Sequence, residues 1–287
     1  FLQHKIPFLV IEPAKGEYRQ AFGGIPGIQI FTTNPHYNQL LRINPFQFQQ
    51  SIHVLEHLDR LIEIFNCCWD MTAAMPAILK SAIEQCYIAK GWDLSNSIPL
   101  TATPVYPTFR DLLAILPVVI AQSGYSAQAQ SDYRGALLSR VASLANGIFG
   151  QVLCDESDLS DQTLFDGNTI IDLSRVGSME SKALLMGLLV IRLTEYRQAT
   201  AQEANRQLRH ITVLEEAHNL LKRSGPNSSK LETKAVEMIC SSIAEMRTFG
   251  EGFIIVDQSP GAVDIAAIKN TNTKIIMKLP DKDDGET

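Results

Sequence analysis

The chain opens on a compact apolar run, Ile6-Pro-Phe-Leu-Val-Ile-Glu12, stopped by Pro13 and Gly16. A β-branched and aromatic run without polar alternation predicts a strand covered on both faces, as in a parallel sheet. A second short strand is predicted over Ile28–Phe31, after the turn signals Gly23-Gly24 and Pro26-Gly27. From Phe46 the period changes: Ile52, Leu55, Leu58, Leu61, Ile62 and Phe65 recur at helical spacing with acidic residues between them. Further helices are predicted from Pro76, over Thr108–Ile120 and over Asp132–Ile148, with Pro99, Pro104 and Pro107 marking a loop. Strands return at Asn168–Leu173, His210–Leu214, Gly252–Val256 and Thr273–Leu279, separated by helices at Glu180–Arg197, Leu231–Thr248 and Val263–Lys269. Strands alternating with helices imply a parallel sheet with right-handed crossovers. The pattern therefore predicts an α/β core over residues 1–45 and 161–287, split by an all-helical insertion over 46–160.

Composition narrows this picture. With 287 residues and 45% hydrophobic positions, the chain can bury a sizeable core, which rules out disorder as its main state. A net charge of -6 argues against a surface that coats nucleic acid as a whole, while leaving room for a local basic site. The longest apolar stretches, Leu112–Ala121 and Ala183–Ile191, are shorter than the roughly 20 residues that span a bilayer, so no membrane segment is expected. The N-terminus has no signal-peptide pattern. The five cysteines, Cys67, Cys68, Cys86, Cys154 and Cys240, form no CxxC pair and suit a reducing compartment; the cytoplasm is expected. Cys67-Cys68 reads as core, with a redox pair as the alternative.

The chemistry concentrates where the strands end. His210-Ile-Thr-Val-Leu-Glu215-Glu216 is a buried strand closing on two adjacent carboxylates. In a nucleotide hydrolase the first of such a pair holds Mg²⁺ through its water shell and the second polarises the attacking water. Glu215 stands where Asp is commoner, which lengthens the metal arm. The plain alternative is a strand-to-helix transition with acidic residues near a helix N-terminus. Phe253-Ile-Ile-Val-Asp257-Gln258 is a second such strand, and an amide at its end can sense a γ-phosphate or the attacking water. Arg247, in Glu245-Met-Arg247-Thr-Phe-Gly250, reads either as a cation complementing a helix dipole or as an arginine finger acting on a neighbouring subunit.

Together these segments resemble the HerA/FtsK-like group of RecA-type motor ATPases, especially HerA helicase domains and their relatives among the conjugation ATPases. The resemblance runs through Ile11-Glu12-Pro13-Ala14-Lys15-Gly16-Glu17-Tyr18, similar to the family's IDPxGEY, and Leu41-Arg42-Ile43-Asn44-Pro45-Phe46, similar to its LRxNPF. It continues through Glu215-Glu216, the Arg-x-Phe-Gly segment and the Gln258 strand. It implies a RecA-like P-loop NTPase fold of the ASCE type, and a hexameric homo-oligomer hydrolysing ATP with Mg²⁺ at its subunit interfaces while moving double-stranded DNA. A nuclease or other effector would be its partner. The resemblance gives Glu216 to water activation, Glu215 to the Mg²⁺ shell, Gln258 to γ-phosphate sensing and Arg247 to charge stabilisation in trans. Glu12 and Lys15, just past a core strand, would sit near the phosphate site or be turn residues only. Lys222, Arg223 and Lys230, in a basic polar stretch, would touch DNA in the ring channel or form a solvated loop. A conjugation-type ATPase energising export of DNA or protein is the alternative within this class, and a non-catalytic ring scaffold the alternative outside it.

One departure stands out: the 287 residues contain no GxxxxGK[ST] phosphate loop. The family carries that loop one helix before the strand seen at Ile6, so Phe1–His4 would end that helix and the loop is expected to be removed or upstream of this piece; the alternative is a degenerate, non-hydrolysing relative. Glu216-Ala217-His218 is also similar to the DEAH helicases, whose further motifs do not follow. His53-Val-Leu-Glu56-His57 matches the HxxEH spacing of inverted zinc peptidases; the alternative is a solvated polar helix face.

Overall fold

The computed structural model describes residues 1–72, 74–155, 158–201, 207–225 and 228–277. After an exposed 3₁₀ turn at Leu2–His4 come β1 (Phe8–Glu12), α1 (Glu17–Phe22), β2 (Ile28–Thr32) and β3 (Gln39–Leu40). The middle holds α2 (Val54–Cys68), α3 (Met75–Ala89), β4 (Trp92–Asp93), β5 (Ile98–Pro99), α4 (Phe109–Gln122), α5 (Ala127–Ala145) and α6 (Gly147–Leu153). Then follow α7 (Asp161–Phe165), β6 (Asn168–Asp172), α8 (Met179–Thr200), β7 (His210–Leu214), α9 (Lys230–Met246), β8 (Glu251–Ile255) and α10 (Ile265–Lys269).

Six strands form one sheet in the order β3-β2-β6-β1-β7-β8, and β2–β6, β6–β1, β1–β7 and β7–β8 are parallel. This is the parallel α/β sheet that the alternating pattern predicts, as the family resemblance also implied. Every residue of β1 and β7 is buried, which explains their unbroken apolar runs. Helix α8 is apolar nearly all round and accordingly buried from Ala183 to Ile191, with Ser178 capping it through the amide of Ser181. Ser229 caps α9 in the same way, accepting from the amide of Glu232.

The chain forms two compact units: Phe1–Gln39, Asn66–Asp70 and Ser160–Thr287 make the first, Leu40–Phe65 and Met71–Leu159 the second. The second is mainly helical but not wholly so, because β4 and β5 pair antiparallel around a tight turn. There Asp93 accepts from the amides of Ser95 and Asn96 and favours reversal over helix. The helix predicted over Asp132–Ile148 breaks at Asn146, whose backbone is extended and is followed by Gly147 at φ +59°. The strand predicted over Thr273–Leu279 is not formed by Thr273–Met277, which carry no regular structure and leave Ile275 and Ile276 exposed; Lys278 and Leu279 lie outside the described residues. Among the described residues no single helix is long and apolar enough to cross a membrane, and the one pair that is, α5 with α6, bends by 74°.

Candidate functional site

Register brings three carboxylates to one level at the C-terminal edge of the sheet. Glu12 pairs with Asp172 across β1 and β6, and Ile11 with Leu214 across β1 and β7, so Glu215 follows at the height of Glu12. Parallel strands ending together are what create a crevice for ligands in open α/β sheets. Glu12 accepts from the amide of Glu17 at 2.7 Å and of Tyr18 at 3.2 Å, so its carboxylate serves the first turn of α1. Burial raises its pKa, the two amides lower it, and the charges of Asp172 and Glu215 raise it further. Asp172 accepts from Arg19 Nε at 2.7 Å and from the Ser174 amide at 2.9 Å. Tyr18 donates its hydroxyl to Glu215 Oε1 at 2.5 Å. Burial, then this bond, push the Tyr18 phenol well above its usual range.

The second half of the site lies one strand further on. Glu216 occupies the left-handed region at φ 46°, where the chain turns from β7 into a short 3₁₀ turn. Its Oε1 accepts from Gln258 Nε2 at 2.7 Å, joining the ends of β7 and β8. Asp257 Oδ2 accepts both the His218 amide, at 2.8 Å, and His218 Nδ1–H, at 2.9 Å. Its Oδ1 accepts from the Ser259 amide at 2.8 Å. His218 Nδ1 also lies 3.5 Å from Glu216 Oε2, so Glu216 is held between an amide and an imidazole.

Glu12, Glu215, Glu216 and Gln258, expected from sequence, therefore meet at one edge. Lys15 is solvent-exposed, 3.8 Å from Glu17, and touches none of them. Arg247 is exposed in the turn before β8, at the opposite end of that strand from Gln258. Arg223 lies on the Gln258 side, its amide donating to Ala262 O at 2.8 Å and Nη1 to Gly261 O at 3.4 Å. Lys222 is exposed and 3.6 Å from Glu232, and Lys230 is exposed at the start of α9. Asp172 and Arg19 were not picked out from sequence, and Asp257 and His218 were named there only as neighbours of Gln258 and Glu216, without a role in the site. Asp172 could have been, because Asn168–Asp172 ends on an acid as β1 does, and β7 is followed directly by one. The Arg19 and His218 contacts join residues from different elements and left no periodic signal.

The HxxEH pair does not converge. His53 is exposed, with Nε2 3.3 Å from Ser95 O, whereas His57 is buried, stacked on Phe48 and 3.0 Å from Pro45 O. The second imidazole is thus core, contrary to a wholly solvated face, because its ring fills an aromatic cluster. Cys68 is buried, and its hydrogen bond with Cys67, then burial, hold its thiol well above the ordinary range, which makes it inert.

Chemically, the edge presents an excess of hard oxygen donors. Carboxylates of Glu215 and Glu216 suit Mg²⁺; Glu12 is raised chiefly by burial, and the smaller contribution from the Asp172 and Glu215 charges is one a divalent cation would relieve. Ligand atoms of Glu216, His218 and Asp257 also lie within 4.8 Å of one another. For nucleotide phosphates these residues supply no cradle, since the glycine-rich lysine loop is absent from the sequence.

No protein-family model and no curated protein matches the chain. Solved structures share its fold. VirB4 of Thermoanaerobacter pseudethanolicus superposes with a TM-score of 0.64 at 16% identity, covering 94% of this chain and 66% of that one. The bacterial conjugative coupling protein TrwB, in its TrwBdeltaN70 form, superposes with a TM-score of 0.52 at 14% identity, covering 89% of this chain and 56% of that one. At such identities the likeness is one of fold, and the chain spans about two thirds of the first structure and just over half of the second.

Proposed function

We propose that this chain is the core of a RecA-like motor ATPase of the conjugation or secretion type, coupling Mg²⁺-dependent ATP hydrolysis to export of DNA or protein. The observation that carries the reading is the Glu216–Gln258 hydrogen bond at the ends of adjacent parallel strands, in a fold shared with VirB4 and a conjugative coupling protein. Glu216 is placed to orient and deprotonate water, and Gln258, bonded to it, to exchange that bond for one to a γ-phosphate or its water. Glu215 serves the Mg²⁺ shell, and no glycine-rich lysine loop for the phosphates is among these 287 residues. A homo-oligomeric ring, most simply a hexamer, supplies an arginine in trans. Arg247 suits that role only toward a neighbour, being at the far end of β8 from its own Glu216.

The HerA-type reading, a cytoplasmic translocase of double-stranded DNA with a nuclease or other effector partner, is favoured by the order of Glu12–Tyr18, Leu41–Phe46 and the Gln258 strand. The two readings share the chemistry and differ in cargo. In the full-length protein, Glu216→Gln is expected to lower ATP turnover by about 10²–10⁴ while keeping nucleotide binding, measured by phosphate release and titration calorimetry. Turnover equal to that of the unaltered protein would remove Glu216 from the chemistry. A full-length protein that assembles but neither binds nor hydrolyses ATP would be the scaffold instead.

A further inference from the structure

Tyr18 is tied to the sheet edge from three sides. Glu12, at the end of β1, accepts the amides of Glu17 and Tyr18, and Asp172, at the end of β6, accepts the Arg19 side chain. Three consecutive residues of α1 are thus fastened to two strand ends, which fixes where the Tyr18 ring points. Gly16, at φ +71°, lets the chain turn sharply enough: a Cβ there would sit 3.2 Å from Asp172 Oδ2 and 3.2 Å from Ser174 Oγ. The ring packs on Phe22, with centroids 6.0 Å apart, and its hydroxyl ends 2.5 Å from Glu215 Oε1. A half-buried hydroxyl bonded to a carboxylate costs more to lose than an exposed one, so the pair holds its geometry.

We propose that Tyr18 is a positioning residue for Glu215, aiming from α1 the carboxylate that serves the Mg²⁺ shell. The inference rests on the motor reading for the role of the metal, though not for the contact itself. One hydroxyl occupies one lone pair of a carboxylate and leaves the rest free for metal-bound water, so the bond orients Glu215 without consuming it. Loss of an orienting partner of this kind typically weakens a metal site by about 10–100-fold. The bond also accounts for Glu at a position where Asp is commoner: the additional methylene brings the carboxylate to the Tyr18 hydroxyl.

The test uses Tyr18→Phe, which removes one oxygen and keeps the packing. In the nucleotide-loaded full-length protein, Mn²⁺ affinity read by electron paramagnetic resonance is expected to weaken about tenfold. ATP turnover at saturating metal should stay within about twofold. In a Glu215→Asp background the same change should have no further effect on metal affinity. Unchanged Mn²⁺ affinity in Tyr18→Phe, or an equal loss in both backgrounds, would overturn the inference. If the unaltered protein binds no nucleotide, the motor reading and the metal role fall together. The contact is then decided by a Tyr18→Phe, Glu215→Gln double-mutant cycle in urea unfolding. Coupling of threefold or more in the unfolding constant upholds Tyr18 as the residue orienting Glu215, and additivity removes it.

Discussion

At the scale of single residues, the site depends on two unusual backbone positions. Glu216 sits in the left-handed region at φ 46°, where a side chain beyond Gly, Asn or Asp is uncommon. Its conformation is over-determined by Gln258, His218 and the bond from the Asn219 amide to Glu216 O at 3.0 Å. Gly16 is the other. Gly16→Ala should destabilise the chain by about 1–2 kcal/mol, because a left-handed Ala is strained and its methyl presses on Asp172 and Ser174. Urea unfolding measures this, and a midpoint unchanged from the parent would mean that the turn relaxes freely. Of these positions, sequence shows the acids and the amide as strand-end residues. The Tyr18–Glu215 bond spans 197 positions, and no pattern along the chain encodes it.

At the scale of elements, a buried polar brace at the other end of the sheet joins β7, β8 and α8. Glu251 accepts from His210 Nδ1 at 2.7 Å, from Thr212 Oγ1 at 2.7 Å and from Arg197 Nε at 2.8 Å, and Arg197 also donates to Asp166 at 2.9 Å. Burial works to raise the Glu251 pKa, but the His210 bond, the charges and the Thr212 bond outweigh it, so it lies below 4.5. A depressed carboxylate contributes stability that is present above its unfolded value and lost as pH falls through its folded value. Unfolding free energy should therefore decline as pH falls below about 4.5, and Glu251→Gln should flatten that decline. The same slope in both proteins would assign the acid loss to other groups. Glu251→Ala should cost about 3–5 kcal/mol at neutral pH, since Arg197 then loses its buried partner. None of this brace was read from sequence, where Glu251 is one polar residue before an apolar run. The strands themselves were legible because two buried faces demand continuous apolar residues. Phe253–Val256 reads the same way, yet β8 is half-exposed, being the last strand of the sheet order.

At the scale of the whole molecule, the 287-residue chain carries acids and an amide but no phosphate loop. Alone it should show little affinity for MgATP by isothermal titration; micromolar binding would mean that another segment cradles the phosphates. Lys222 and Arg223 follow the acid pair, and their segment is fastened to the turn after Gln258 by the Arg223 and Asp264 amides. Replacing both basic side chains by Ala in the full-length protein should reduce DNA-stimulated turnover and spare basal turnover. Unchanged stimulation would take DNA away from this segment.

What the sequence determined by itself is the class of architecture and the chemical types at the strand ends. Burial on two faces forces apolar runs, helices force a period near 3.6, and a strand end is where polar residues first become tolerable. Only the tertiary structure decided which strand ends are neighbours. The order β6-β1-β7-β8 and its register put Glu12, Asp172 and Glu215 side by side and set Glu216 against Gln258. Strand order and register are settled by packing among segments far apart in the chain, and hydrogen bonds a few ångströms long follow from them. Local periodicity carries no record of either.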